Sequence, residues 1–276
     1  MDGVGQYTGS NSAAVFSGSI WGDCPVEALK AGIVSGLIWE KRFTSIPITP
    51  PTTEGNWGDM AAFTDTGGTI AASTKEVGGG VTIASDGDNE GASMRTGVAP
   101  AKIILTGGDF WFEARMLSST IGDTTTNIFL GLFANTAFSA TVPIQASGAM
   151  ADNNFVGFQR TETTAKGPYM NATYKADGQT QVSAGADAVT LVADTYTNLG
   201  MKFVPKRNFG KGAGYFYWYQ DGVIIASYLL TSTAGNPFPN DVNLGFAFAI
   251  LNAAGSSPGS ATLKHVRMAQ LTNALP

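Results

Sequence analysis

Charge is scarce in this chain of 276 residues. Asp, Glu, Lys and Arg together make up 13%, about half the usual share. The hydrophobic fraction is 43%, so the chain is too apolar to be disordered. Its 16 basic and 21 acidic residues leave a formal net charge of −5, which argues against a nucleic-acid binder that works by neutralising phosphates. Cysteine is nearly absent. Cys24 stands alone, so no internal disulfide forms, the fold rests on its core, and the residue itself reads as small and buried. His265 is the only histidine, and any Ser-His-Asp or Cys-His site must use it. It sits between Lys264 and Val266 in the last of the expected strands, so it reads as a structural or surface residue. One His and one Cys also argue against zinc. No run approaches the roughly 20 apolar residues that span a bilayer. Met1-Asp2-Gly3-Val4-Gly5 has neither a basic n-region nor an apolar h-region, so no secretory signal is expected.

Glycine is what the chain has in quantity, with 35 residues against 12 prolines. Residues 1–55 are organised differently from the rest. Gly, Ser, Asn and Thr dominate the first 23 positions, with isolated apolar residues. Cys24 to Gly32 suits one short helix, Pro25 fitting the first turn and Gly32 the stop. Ile46-Pro47-Ile48-Thr49-Pro50-Pro51 reads as an extended connector. A stretch with scattered apolar anchors and no periodicity builds no core of its own. It is expected to be an arm lying along another surface, either its own domain or a neighbouring chain.

Residues 56–276 form the second region, a succession of strands and turns. Runs rich in β-branched and aromatic residues predict strands at Val81–Ser85, Asp109–Leu117, Asn127–Phe133, Asn154–Thr161 and Tyr196–Val204. Gly214–Gln220, Val223–Leu230, Leu244–Leu251 and Thr262–Leu271 continue the series. Asp221-Gly222 predicts a tight hairpin between two of them, because a type I′ turn needs positive φ at both central positions. Many short strands at this spacing predict an all-β, two-sheet antiparallel sandwich or jelly roll.

The order of these strands resembles the concanavalin A-like lectin/glucanase fold. Asp109-Phe110-Trp111-Phe112-Glu113-Ala114-Arg115 is similar to an F-x-F-E-A-R strand, and Phe129-Leu130-Gly131-Leu132 to the F-x-G-L strand after it. Tyr219-Gln220-Asp221-Gly222 resembles the Y-x-D-G hairpin, and Phe246 to Ile250 a late core strand. Lys264 to Gln270 is similar to the closing D-Y-V-R-V-x-Q strand, with Lys264-His265 replacing Asp-Tyr. The resemblance spans roughly residues 57–272 and implies a concanavalin A-like jelly roll with an extended N-terminal arm. In composition and architecture the chain also resembles virion proteins of tailed phages.

Little in the sequence points to catalysis. Jelly-roll glycosidases set paired carboxylates on one strand face, in an E-x-D-x-x-E pattern. The seven glutamates, at 27, 40, 54, 76, 90, 113 and 162, offer no such pair. Glu113 has Arg115 two positions on, expected to be its ion-pair partner. Asp86, Asp88 and Glu90 imitate the opening of a calcium loop, although Gly97 stands where an EF-hand needs its bidentate acid. They read as a calcium site or as a solvated acidic turn. Tyr215, Tyr217 and Tyr219 fall on one strand face, as a solvent-facing strand, a glycan groove or an interface. Lys202, Lys206, Arg207 and Lys211 flank a Gly-rich loop and suit a polar contact with an acidic protein partner.

The expectation from sequence is a non-enzymatic structural protein of a phage virion, decorating or cementing the capsid. The arm would attach it to the major capsid protein or to copies of itself as a trimer, through Phe16, Trp21, Ile38, Trp39 and Phe43. Neither nucleic acid nor membrane is an expected partner. The alternative is a carbohydrate-binding module of a phage tail or host-recognition protein, with exposed aromatics and a calcium ion.

Overall fold

A computed structural model of the chain describes residues 18–43, 54–57, 59–65, 67–73, 79–96, 101–103, 107–119, 121–122, 126–134, 142–145, 147–151, 153–161, 167–206, 213–231, 236–253 and 258–272. Two short helices, α1 (Gly18–Trp21) and α2 (Val26–Lys30), come first. Strands follow: β1 (Gly36–Arg42), β2 (Glu54–Trp57), β3 (Met60–Thr64), β4 (Gly68–Ala72), β5 (Val81–Ser85), β6 (Gly91–Thr96), β7 (Ala101–Lys102), β8 (Phe110–Ser118) and β9 (Thr126–Ala134). The remainder are β10 (Phe155–Arg160), β11 (Tyr169–Lys175), β12 (Val182–Thr190), β13 (Thr197–Pro205), β14 (Ala213–Gln220), β15 (Val223–Thr231), β16 (Asn243–Asn252) and β17 (Gly259–Leu271).

They form two antiparallel sheets. Sheet I runs β15-β14-β13-β8-β17-β5-β4, with β1 also on β17. Sheet II runs β12-β11-β10-β9-β16-β6-β3-β2, with β7 also on β16. Alternation fills the space between them: β8 sends in Phe110, Phe112, Ala114 and Met116, β9 sends Ile128, Leu130 and Leu132, and β16 sends Phe246, Phe248 and Ile250. Each of these side chains other than Ala114 contributes about 1.5–3 kcal/mol when fully buried. The Trp218 indole also donates across this core to the Gly157 carbonyl, 3.2 Å away, tying β14 to β10. At the β14–β15 turn Asp221 and Gly222 have φ of 47° and 82°, the positive values the Asp-Gly hairpin requires. The architecture is the two-sheet jelly roll expected from sequence. Among the described residues no helix is long and apolar enough to cross a membrane.

The N-terminal segment enters this fold through an unfilled edge. β17 is 13 residues long. On the edge away from β8, β5 pairs only with its first part, Gly259 to Leu263. The remaining N–H and C=O groups of that edge need partners. β1 supplies them, in register from Gly36 opposite Leu271 to Arg42 opposite His265. Asp59 beside β3 fastens β1, accepting from the Trp39 indole and the Lys41 ammonium at 2.7 Å each. Burial works against the Asp59 charge, but these two donors prevail and hold its carboxyl below the ordinary value. Of the two surfaces open to the arm, residues 18–43 lie along their own domain. The proline-rich connector 46–51 falls outside the described residues.

Candidate functional site

A jelly roll offers two outer faces, and the chain covers much of both. On sheet II, alternation turns Phe129 and Phe133 of β9, Phe155 of β10, and Ala247, Ala249 and Leu251 of β16 away from the core. Residues 142–145 and 147–151 fold over them as a strap. Its backbone closes on itself through Ala151 N–H to Pro143 O and Gln145 N–H to Ala149 O, each 2.8 Å. Ile144 and Met150 are thereby seated on the phenylalanines. Gln159, also outward on β10, donates to the strap at Gly148 O, 2.6 Å away.

On sheet I the cover is residues 18–35. Ile20, Trp21 and Leu29 bury themselves against Trp111, Tyr219, Ala269 and Leu271. Gly200 permits the approach: a Cβ there would lie 2.2 Å from Ile20 Cδ1. Polar contacts fix the position. Trp21 donates its indole N–H to Glu113 Oε2 at 2.9 Å. Arg267 stacks on the Trp21 ring at 4.6 Å. Asp23 accepts from the Trp111 indole at 3.0 Å and from Lys202 Nζ at 2.7 Å. Cys24 lies in the same cover, and burial pushes its thiol up to about 12.

The expected attachment anchors therefore serve this chain's own sheets. Trp21 is 8% exposed, and Phe43 is buried in the inter-sheet core. Ile38 is half-buried against the cover, and Trp39 packs on Phe246 with centroids 5.9 Å apart. Phe16 lies outside the described residues. The expected Glu113–Arg115 ion pair does not form. Both point outward, but Glu113 is engaged by Trp21 and stands in register with Arg267, while Arg115 leans 5.2 Å over the Tyr196 ring. The basic cluster is dispersed as well: Lys202 is paired to Asp23, Lys206 lies over Tyr215, and Arg207 and Lys211 fall outside the described residues.

The three tyrosines do share the outer face of sheet I, but not equally. Tyr219 is 5% exposed beneath the cover, and burial raises its hydroxyl to about 12. Tyr215 and Tyr217 are half-buried, Tyr217 packing against the apolar cluster of the cover. Their rings stack at 5.8 Å and 29°. Lys206 sits 4.7 Å over Tyr215. Alongside, Leu229 of β15 lies opposite Tyr215 and is 40% exposed, and Ile224 lies opposite Tyr219 and is 54% exposed. Together they make a shallow aromatic and aliphatic platform, backed by one cation.

The acidic loop gathers fewer ligands than its spacing suggests. Glu90 has its carboxyl raised, first by a hydrogen bond with Asp86, then by burial and by the charges of Asp86, Asp65 and Asp88. No group of three potential metal ligands is assembled among the described residues. His265 is 3% exposed and faces Arg115 and Arg42 across the ladder. Sequence reasoning missed Asp23 and the strap. Asp23 had one signal, a lone carboxylate in a polar stretch beside Trp21, and the strap had none, since Val142 to Ala151 lacks periodicity.

No protein-family model matches the chain, and no curated protein matches it. Solved structures do. A protein of unknown function from Shewanella oneidensis MR-1 has a TM-score of 0.54 at 13% identity, over 91% of this chain and 96% of that one. An endo-β-1,4-glucuronan lyase from the fungus Trichoderma reesei has a TM-score of 0.53 at 10% identity, over 83% and 94%. A structure described with endo-acting O-glycanases, which members of the human gut microbiota express to initiate mucin breakdown, has a TM-score of 0.51 at 10% identity, over 84% and 98%. At such identity the likeness is one of fold. It also corrects the expectation that the chain is not an enzyme. A missing carboxylate pair argues against one hydrolytic mechanism only. The same fold serves a lyase and is described with glycanases, so it leaves enzymatic activity open to this chain.

Proposed function

We propose that the chain is a carbohydrate-binding jelly-roll protein whose saccharide platform is the exposed margin of sheet I. The carrying observation is the stacked Tyr215–Tyr217 pair, half-buried at the edge of the cover with Leu229 beside it. Aromatic faces of this kind match the apolar C–H face of a pyranose, and tyrosine gives contact area at a small loss of rotamer freedom. Lys206 over Tyr215 adds a donor at the rim. The fold neighbours named for glucuronan and mucin O-glycans make saccharides the ligand class to try first.

The virion reading drew on a free attachment arm. With residues 18–43 docked on their own domain, its described anchors no longer support that use. Saccharide binding needs no such arm. A glycan array tests the proposal. Wild-type protein retains a defined set of glycans, and Tyr215→Ala and Tyr217→Ala each weaken them about tenfold. A blank array, or one that the double substitution leaves unchanged, overturns the proposal.

A further inference from the structure

Beyond the cover, a row of side chains crosses the outer face of sheet I in register: Asn198 opposite Arg115, Arg115 opposite His265, and His265 opposite Arg42. β17 has a bulge between Leu263 and His265. A bulge sets two residues against one on the partner strand. Lys264 and His265 are thereby both brought to Arg115. One ring marks the convergence: Arg115 lies 5.2 Å and Lys264 5.4 Å from the centroid of Tyr196.

Nearby carboxylates are engaged elsewhere. Glu40 accepts from Arg42 at 2.8 Å and faces Arg267 at 3.5 Å. Glu113 accepts from Trp21, and Asp221 from the Asn198 backbone N–H at 2.9 Å. Arg115 has neither an ion pair nor a hydrogen bond among the described residues, and its Nε is buried without an acceptor. A desolvated N–H with no partner costs free energy that an incoming acceptor recovers. The local sign is also opposite to that of the whole chain, whose net charge is −5.

We propose that Arg115, Lys264 and His265 form an anion-binding corner that takes the carboxylate or sulfate group of an acidic saccharide. The guanidinium fork matches two oxygens of either group, and Lys264 adds a point charge. The saccharide part of this proposal rests on the carbohydrate reading above; the anion part does not. Tyr217 lies two strands away and four residues along, about 16 Å by strand geometry. A ligand touching both is therefore an oligosaccharide.

Two probes separate these parts. The first is inorganic sulfate, added against chloride at constant ionic strength, with thermal stability as the readout. Sulfate stabilises proteins generally by exclusion, so the comparison is among variants. Lys30→Gln, which alters charge on α2, keeps the wild-type response, while Arg115→Gln and Lys264→Gln each reduce it. Equal responses in all four proteins overturn the corner, whatever the glycans do. The second probe is calorimetry with neutral, uronate-bearing and sulfated oligosaccharides of matched length. Acidic ligands bind about tenfold tighter than neutral ones, and Arg115→Gln abolishes the difference. If only one acidic class shows the preference, it identifies the group that the corner takes. If no oligosaccharide binds while the sulfate response still depends on Arg115, the anion corner stands and the carbohydrate reading falls. Wild-type preference for neutral glycans overturns the acidic-saccharide assignment.

Discussion

Trp21 closes the N-terminal cover with two surfaces of one side chain. Its indole N–H meets the fully buried Glu113 carboxylate, and its ring face carries the Arg267 guanidinium. Trp21→Phe keeps an aromatic face for Arg267 but takes one donor from a carboxylate that water does not reach. The expected cost is about 1–3 kcal/mol in urea unfolding, the usual range for a buried acceptor that loses its partner. A change below about 0.5 kcal/mol contradicts this role, since surface substitutions without such contacts stay within that range. The sequence could place Glu113 and Arg115 on one face by alternation. It could not show that Glu113 would turn to an indole 92 residues earlier, because that contact depends on where the cover lands.

At the scale of elements, legibility followed side-chain contrast. β8, β9, β14 and β16 are dense in aromatic and branched residues, and their expected and observed ends agree within one residue. The hairpin at Asp221-Gly222 was readable because backbone conformation alone demands those residues. β12, with the sequence VSAGADAVT, was not anticipated, since Ala, Gly and Ser hardly distinguish buried from exposed positions. β1 lies in the stretch read only as part of an arm, because its place depends on an edge of β17 that β5 leaves open. The cover makes a prediction of its own. At pH 8 the Cys24 thiol, raised by burial to about 12, reacts with a disulfide reagent far more slowly than a free thiol does. Gly200→Val pushes against Ile20, lifts the cover and speeds the reaction by on the order of a hundredfold. Ile20→Ala gives the same direction without adding bulk. Fast labelling of the wild type, or equal rates in all three proteins, contradicts a docked cover.

For the whole molecule, the covers on the two sheets limit where the proposed saccharide site can lie. The strap of residues 142–145 and 147–151 packs over the phenylalanines of sheet II, and residues 18–35 cover the middle of sheet I. Among the described residues, sheet I leaves Tyr215, Tyr217 and Leu229 partly exposed at its margin and, farther along, Arg115 and Lys264. Low overall charge does not exclude chemistry on such a scaffold, and the fold likeness to a lyase removes that argument. The most direct test is to map backbone amide shifts by NMR while titrating the tightest oligosaccharide from the array. The account predicts that the largest changes cluster on β13, β14 and β15, around Val204, Tyr215, Tyr217 and Leu229. Changes confined to β9, β10 and the strap would contradict it and move the site to sheet II.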